Sequence, residues 1–216
     1  MKIGILGTGM VGASLGIKLT QLNHHVRMGS RTANNEKAEE FIKQAGMGAS
    51  QGTFADAAAY GEIVFNCTKG DGALDAIKAA GEENLKGKIL VDVSNPLDFS
   101  KGMPPILIPA LSNTNSLGEE IQKRLPGTHV IKALNTVNCM LMVNPASVPG
   151  LHDVFICGND ETAKAKVTEI LKSFGWISII DVGDITAARA TEMMLPLWIR
   201  LMMKFQSPNF NFKIVK

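Results

Sequence analysis

Short apolar runs alternate along the chain with segments whose apolar residues recur at helical spacing. The run before Gly7 is followed by a segment with Val11, Leu15 and Leu19 on one face, and then by an apolar run at 24–28. Further apolar runs occupy residues 49–53, 62–68, 88–93, 128–134, 152–158 and 176–182. Because strands that alternate with helices are joined by right-handed crossovers, the pattern predicts a doubly wound α/β fold with a mostly parallel sheet of about eight strands.

Helical spacing recurs between these runs and after the last of them. The segments that carry it are 35–45, 54–60, 73–80, 117–125, part of 140–148, 160–174 and 185–205. The stretch from Phe99 to Ser116 has three prolines and no clear period, so it is predicted to be a lid or an edge loop.

The terminal helical segment, 185–205, is apolar on nearly every side between Met193 and Met203, apart from Pro196 and Arg200. A helix that is apolar all round has to be covered all round. One interpretation is a core or dimer-interface helix kinked at the proline. The other is that Met194, Leu197 and Trp198 line a pocket for a flat aromatic ligand.

A glycine-rich turn follows the first apolar run. Gly7, Gly9 and Gly12 have the G-x-G-x-x-G spacing of a dinucleotide-binding turn, placed between a predicted strand and a predicted helix. In such turns the first glycine permits the bend, the second lets a pyrophosphate approach, and the third lets the helix pack against the strand. We therefore expect a Rossmann-type dinucleotide-binding fold.

The end of the second strand indicates which dinucleotide is bound. NAD-binding chains usually place a carboxylate there to accept hydrogen bonds from the ribose 2′-hydroxyl, but this chain reads Met28-Gly29-Ser30-Arg31-Thr32. An arginine matches phosphate oxygens, so Ser30 and Arg31 favour the 2′-phosphate of NADP. Lys37 is a further candidate phosphate ligand, although the glutamates around it favour a solvated helical face.

Ligands of doubly wound sheets bind beyond the carboxyl ends of the strands. We therefore expect five residues that follow strands to share one rim of the sheet: Gly7, Ser30, Thr68, Ser94 and Asn95. The predicted division of the chain is an NADP-binding Rossmann domain at 1–136 and a smaller C-terminal α/β and helical part at 137–216 that forms an acceptor cleft.

Composition argues against several other functions. The 216 residues are 45% hydrophobic and 19% charged, with a net charge of +2, so there is no basic excess to favour nucleic acid. No apolar run approaches the roughly 18 residues of a membrane span, and no signal-peptide pattern precedes Gly7. We expect a cytoplasmic protein with a small-molecule partner and no membrane. Cys67, Cys139 and Cys157 lie far apart, so we expect inert thiols and no metal site.

Three segments together resemble the deazaflavin-dependent NADP oxidoreductase family, whose members move hydride between NADP and coenzyme F-420 and whose nucleotide half recurs in membrane ferric reductases. They are Gly7-Thr8-Gly9-Met10-Val11-Gly12, Gly29-Ser30-Arg31 and Val130-Ile131-Lys132-Ala133-Leu134-Asn135-Thr136. The resemblance runs the full length. It implies that Thr8, Met10 and Val11 contact the pyrophosphate. It also implies that Ala133, Asn135 and Thr136 contact the nicotinamide or the acceptor ring.

The chain departs from that family at two places. Family members tend to carry a basic residue soon after the arginine and an apolar-Pro dipeptide after the fourth strand. This chain reads Thr32-Ala33-Asn34-Asn35 and Thr68-Lys69-Gly70 there.

No set of residues has the spacing of a catalytic triad or of paired carboxylates, and hydride transfer between flat rings needs positioning above all. Lys69, His129 and Lys132 are expected to be ordinary surface or strand-end residues. The favoured function is an NADP(H)-dependent oxidoreductase with deazaflavin F-420, FMN or FAD as acceptor, ferric reduction being one variant. The alternatives are a short relative of the β-hydroxyacid and imine dehydrogenases and a non-enzymatic NADP-binding redox sensor. The apolar terminal helix favours a homodimer.

Replacing Arg31 by alanine tests the choice of nucleotide. We expect Arg31→Ala to weaken NADPH binding by about 1.5 to 3 kcal/mol, the range for hydrogen bonds to charged groups, and to change NADH binding little. Titration calorimetry with both nucleotides measures the difference. Equal losses would show that Arg31 does not read the phosphate.

Overall fold

The computed structural model describes residues 1–216 and contains ten strands. In chain order they are β1 (Lys2–Leu6), β2 (His25–Ser30), β3 (Ala49–Thr53), β4 (Ile63–Asn66), β5 (Ile89–Asp92), β6 (Leu97–Asp98), β7 (Ile106–Leu107), β8 (His129–Ala133), β9 (Asp153–Gly158) and β10 (Ser178–Asp181).

Ten α-helices lie between and after the strands. They are α1 (Met10–Gln21), α2 (Glu36–Ala45), α3 (Phe54–Tyr60), α4 (Gly70–Ala80), α5 (Glu82–Leu85), α6 (Leu117–Arg124), α7 (Cys139–Val143), α8 (Glu161–Phe174), α9 (Ala188–Met193) and α10 (Leu195–Phe205). Short 3-10 turns occupy Pro109–Leu111, Pro145–Ser147 and Ile185–Ala187.

Eight strands form one sheet in the order β10-β9-β8-β5-β4-β1-β2-β3. All neighbours pair in parallel except β8 and β9, which are antiparallel, so β9 and β10 run opposite to the rest. The predicted doubly wound, mostly parallel α/β fold is therefore confirmed. Residues on both sides of position 136 contribute strands to this sheet, and the division into two domains stays a prediction.

The main sheet is covered by helices on both faces, as its nearly continuous apolar strands require. One face forms a core of 27 buried residues that includes Ile3, Ile5 and Phe41, and the other forms a core of 18 that includes Leu6 and Leu90. No helix is long and apolar enough to cross a membrane.

A small hairpin begins just before the irregular stretch 99–116 and has its second strand within that stretch. Strand β6 pairs antiparallel with β7, apart from the main sheet. Because β6 directly follows the turn that ends β5, this hairpin stands beside the carboxyl edge of the sheet.

The terminal segment is broken where a single helix was predicted. Helices α9 and α10 are separated at Met194, and Pro196 lies in the first turn of α10, where its missing N–H breaks no helical hydrogen bond. Trp198 is 9% exposed and stacks on Phe210 with ring centroids 5.3 Å apart, whereas Leu197 is 55% exposed. The two side chains therefore differ in exposure, and the interpretation that they line a ligand pocket with Met194 stays a prediction.

The tail that follows α10 returns to the start of β9. The Asp153 backbone N–H donates to the Phe212 carbonyl at 2.9 Å, and the buried Asp153 carboxylate accepts from the Lys213 ammonium and the Ile214 N–H. The tail is therefore fastened to the sheet through both backbone and side-chain groups.

Candidate functional site

The glycine turn connects β1 to α1, and its three glycines differ in the protein atoms that surround them. Gly7 has φ +116°, and a Cβ on Gly12 would lie 2.2 Å from the Gly7 carbonyl oxygen. Both glycines are therefore required by the protein's own packing. A Cβ on Gly9 would meet no protein atom within 4 Å. The space above Gly9 is open, as a phosphate group that approaches the backbone needs.

Helix α1 presents its N-terminus to that space. Gly9 is its N-cap, no side chain caps the helix, and its first turn contains no acidic residue. The first N–H groups of a helix have no intrahelical acceptor, and with the helix dipole they form an anion-binding site. Thr8, Met10 and Val11 surround this terminus, and Met10 is 79% exposed. These residues therefore fit a pyrophosphate.

A first cleft of about 620 Å³ opens beside the glycine turn. Gly7, Gly9, Arg31 and Thr68 are among the residues that line it. Arg31 is exposed and forms no ion pair with the protein, so its guanidinium is available to an anionic ligand. Asp71 and Asp75 of α4 also line this cleft, at the wall formed by α4.

Ser30 and Lys37 are placed differently from Arg31. Ser30 is 6% exposed, and its hydroxyl donates to the Thr32 carbonyl at 2.6 Å and accepts from the Thr32 N–H at 3.1 Å. It therefore shapes the turn that carries Arg31. Lys37 is exposed on α2 and lines neither the first cleft nor the second cleft described next. Its contact with a phosphate stays a prediction.

A second cleft of about 380 Å³ adjoins the first, and the two share Thr68, Lys69 and Asp71 as lining residues. Its remaining walls combine polar and apolar side chains: Val11, Gly70, Val93, Ser94, Asn95, Leu97 and Phe99. Phe99 is 54% exposed. Gly7, Thr68, Ser94 and Asn95 thus border the two clefts, and Ser30 ends β2 on the same carboxyl edge, so the predicted rim exists.

Ala133, Asn135 and Thr136 lie behind the wall of the second cleft, with exposures of 0%, 3% and 1%. The Asn135 side-chain amide donates to the Asn95 side-chain oxygen at 3.0 Å, and the Asn95 amide donates to the Asn135 carbonyl at 2.8 Å. This pair joins the ends of β5 and β8. Direct contact of these three residues with a ring stays a prediction.

A buried ionic cluster lies under the same edge. Lys132 is 1% exposed, and its ammonium lies 2.7 Å from the Asp92 carboxylate and 2.7 Å from the Glu192 carboxylate. Both carboxylates are themselves at most 1% exposed. The expectation that Lys132 is an ordinary strand-end residue is wrong.

The sequence contained a signal for this cluster. The neighbouring strands β4, β5 and β8 each carry a polar residue at the same position along the sheet. Asn66 pairs with Asp92, and Asp92 pairs with Lys132. Polar residues at the ends of otherwise apolar strands indicate a buried network once the strand order is known. Glu192 comes from α9, more than 50 residues further along the chain, and no local pattern points to it.

Burial and charge act against each other in this cluster. Burial lowers the pKa of the Lys132 ammonium, but Asp92 and Glu192 outweigh it and hold that pKa above its ordinary value. Burial raises the pKa of the Glu192 carboxyl, and Lys132 and the Leu117 N–H oppose that rise only in part. The short contacts on both sides of Lys132 are those of a charged ammonium.

Cys67 and Cys157 have poor nucleophilic character. Desolvation raises the pKa of the Cys67 thiol, with the Asp92 charge adding to the effect, and burial raises the pKa of Cys157 to about 12. Since the thiolate is the reactive form, these residues fit the inert thiols expected from the sequence. No group of three or more His, Cys, Asp or Glu side chains has metal-binding geometry.

The open glycine turn at the switch point of the sheet, with an arginine after β2, defines the class: a dinucleotide-binding oxidoreductase with Rossmann topology. The family model of coenzyme F-420-dependent NADP oxidoreductases matches residues 2–96. The F-420-dependent NADP reductase of Methanocaldococcus jannaschii is 33% identical over 99% of this chain and 98% of its own length. The chain therefore belongs to the family of F-420-dependent NADP oxidoreductases, and it is an NADP-dependent oxidoreductase.

Solved and curated relatives extend the comparison. A crystal structure from Arthrobacter sp. FB24, described as a candidate F-420-dependent NADP reductase, is 48% identical with a TM-score of 0.94, each chain covered completely. Metalloreductase STEAP3 of Rattus norvegicus is 31% identical over 91% of this chain but only 38% of its own length. An imine reductase from Myxococcus stipitatus is 16% identical with a TM-score of 0.66, covering 95% of this chain and 63% of its own, and shares the fold alone.

Two glycine variants distinguish the role of the turn in protein packing from its role in nucleotide binding. Gly9→Ala should fold with nearly wild-type stability, because its Cβ meets no protein atom, and should weaken NADPH binding by about tenfold or more. Gly12→Ala should lower the melting temperature, because its Cβ meets the Gly7 carbonyl. Thermal unfolding and NADPH titration of both variants make the comparison. Wild-type NADPH affinity in Gly9→Ala would contradict the assignment of the open space to the nucleotide.

Proposed function

We propose that this protein transfers hydride between NADPH and the deazaflavin F-420, with the second cleft as the acceptor site. The observation that carries the proposal is the adjacency of the two clefts, which share Thr68, Lys69 and Asp71. When bound, NADPH supplies a hydride from its nicotinamide ring to an acceptor. Transfer requires the two rings at about 3 to 3.5 Å with their faces aligned, and adjoining clefts on one sheet edge supply that arrangement.

The positively charged groups of the site favour one orientation of the bound nucleotide. Arg31 lines the first cleft and would bind the 2′-phosphate, while the N-terminus of α1 would bind the pyrophosphate. Val11 lines the second cleft, so a nucleotide held this way would place its nicotinamide where the first cleft meets the second, facing an acceptor in the second cleft. Residues 1–136 thus supply the nucleotide contacts. Residues 137–216 line neither cleft, and α9 and α10 reach the second cleft only from behind its wall.

The walls of the second cleft suit a flat acceptor. Leu97 and Phe99 offer apolar surface to a ring face, and Ser94 and Asn95 offer hydrogen bonds to its edge. Lys69 and Asp71 are the ionisable side chains that line this cleft. The protein's part in the reaction is therefore positioning and exclusion of water, with Asn95 and Asn135 holding the wall and no general base required.

The similarity to STEAP3 favours a second acceptor class, a flavin with or without ferric iron. The same cleft would admit the ring of FMN or FAD. This chain spans 38% of that relative, so the comparison covers its nucleotide-binding part without the remainder of the protein.

Stopped-flow oxidation of NADPH with each acceptor tests the proposal. Mixed anaerobically with NADPH-loaded protein, F-420 should be reduced, whereas FMN, FAD and a ferric chelate should react at least about tenfold more slowly. Phe99→Ala should raise KM for F-420 and leave NADPH affinity unchanged. Leu151→Ala, which truncates an apolar side chain of similar exposure outside both clefts, is the matched control. Faster reduction of a flavin than of F-420 would reassign the acceptor, and no oxidation by any of them would refute the site.

We also propose a cytoplasmic homodimer. Leu197, Met203 and Phe205 of α10 are 55%, 43% and 56% exposed, and a second copy of this helix would cover them. Sedimentation at micromolar concentration should find a dimer, and Leu197→Lys should shift it toward the monomer. A wild-type monomer would contradict the assembly and leave the two clefts unaffected.

A further inference from the structure

The buried ionic cluster makes three hydrogen bonds to Ser94, a residue that lines the second cleft. The Ser94 N–H and hydroxyl donate to one Asp92 carboxylate oxygen at 3.2 and 2.6 Å, and the Lys132 ammonium donates to the Ser94 carbonyl at 2.6 Å. Ser94 opens the segment 94–99, which supplies one wall of the cleft. The position of that wall therefore depends on where Lys132 and Asp92 lie.

The same cluster reaches a second wall through β4. The Asn66 amide donates to Asp92 at 2.8 Å, and the Asn66 side-chain oxygen accepts from the Thr68 hydroxyl at 2.6 Å. Thr68 lines both clefts. One hydrogen-bonded path thus runs under the cleft floor from β4 to β8.

Glu192 extends this path to the C-terminal helices. Its carboxylate contacts Lys132 and accepts from the N–H groups of Leu117 and Gly118, the first two residues of α6. A second contact from the same part of the chain is apolar, because Leu97 packs against the cluster of Leu195, Trp198 and Ile199. The α10 cluster thus contacts segment 94–99 directly at Leu97, whereas Glu192 of α9 reaches that segment through Lys132.

We propose that Glu192 is a positioning residue for the acceptor, and that α9 and α10 set the placement of segment 94–99 through it. Glu192 touches neither cleft and acts through Lys132 and Ser94. Removing its charge leaves Asp92 as the only carboxylate partner of Lys132. The ammonium then loses its fixed position between two anions, and Ser94 loses a fixed partner for its carbonyl.

The chain offers a matched control for this role. Arg189 of α9 donates to the Glu119 carboxylate of α6 at 2.8 Å, so it fastens the same pair of helices as Glu192 does. This ion pair does not reach Asp92, Lys132 or Ser94. Arg189→Met therefore removes one α9–α6 contact and keeps the contacts of Glu192 with Lys132, Leu117 and Gly118, whereas Glu192→Gln removes the charge that fixes Lys132.

Hydrogen exchange gives a readout that needs no acceptor. In Glu192→Gln the peptide that contains 94–99 should exchange faster than in the wild type, because the Ser94 N–H depends on Asp92, while Arg189→Met should leave that peptide unchanged. Glu192→Asp, which keeps the charge but shortens the reach, should fall between them and replaces Glu192→Gln if that variant does not fold. Unchanged exchange at 94–99, or equal changes in the glutamate and arginine variants, would overturn the proposal.

Kinetics give the second readout, which rests on the proposed acceptor. Below the melting temperatures of all variants, Glu192→Gln should raise KM for F-420 by about tenfold, with Kd for NADPH within about twofold of wild type. Arg189→Met should change neither constant. A loss of NADPH affinity equal to the loss for F-420 would make Glu192 merely structural. If wild-type protein fails to reduce F-420, the proposed function falls, and hydrogen exchange still decides the role of Glu192.

Discussion

The buried ammonium of Lys132 is the interaction on which the site depends. It joins two carboxylates from distant parts of the chain in a place that water does not reach, and it is bound to the backbone of the cleft wall. Removing one partner from such a cluster typically costs about 3–5 kcal/mol, because the remaining charge is buried without compensation. The carboxyl ends of β4, β5 and β8 and the end of α9 are therefore held in one arrangement.

In the glycine turn, the packing of the protein requires two of the three glycines, and the third lies where the proposed ligand would approach. Gly7 and Gly12 are demanded by a positive φ and by a backbone contact within the protein. A Cβ on Gly9 would meet no atom of the protein within 4 Å, so the packing gives no reason for a glycine there, and the proposed pyrophosphate site would supply one. Rossmann turns carry three glycines at fixed spacing, and the reasons for the three are physically separate.

Much of the fold could be predicted from the sequence, because hydrophobic periodicity reports which segments are buried and with what repeat. Strand β3 and helix α3 lie where the pattern placed them. The reversal of β9 was missed, since pairing direction depends on how the chain returns to the sheet. The interruption at Met194 lies two residues before Pro196, close to the kink that one interpretation of the sequence placed at the proline.

The site was predicted less completely for a related reason. The glycines and Arg31 belong to a local motif, so their spacing was enough to find them. The burial of Lys132 depends on Glu192, and the pairing of Asn95 with Asn135 joins residues 40 positions apart. Such contacts exist only once the strand order has brought their partners together.

The tail that returns to β9 has a consequence for how the molecule comes apart. The carboxylate of Asp153 is 0% exposed, and detaching the tail would strip it of the Lys213 and Ile214 donors while leaving it under the sheet edge. Phe212, Lys213 and Ile214 therefore hold the segment after α10 against β9. They join α10 to β9. Detachment of this segment is opposed because the buried Asp153 carboxylate, at the first residue of β9, would lose the donors that compensate its charge.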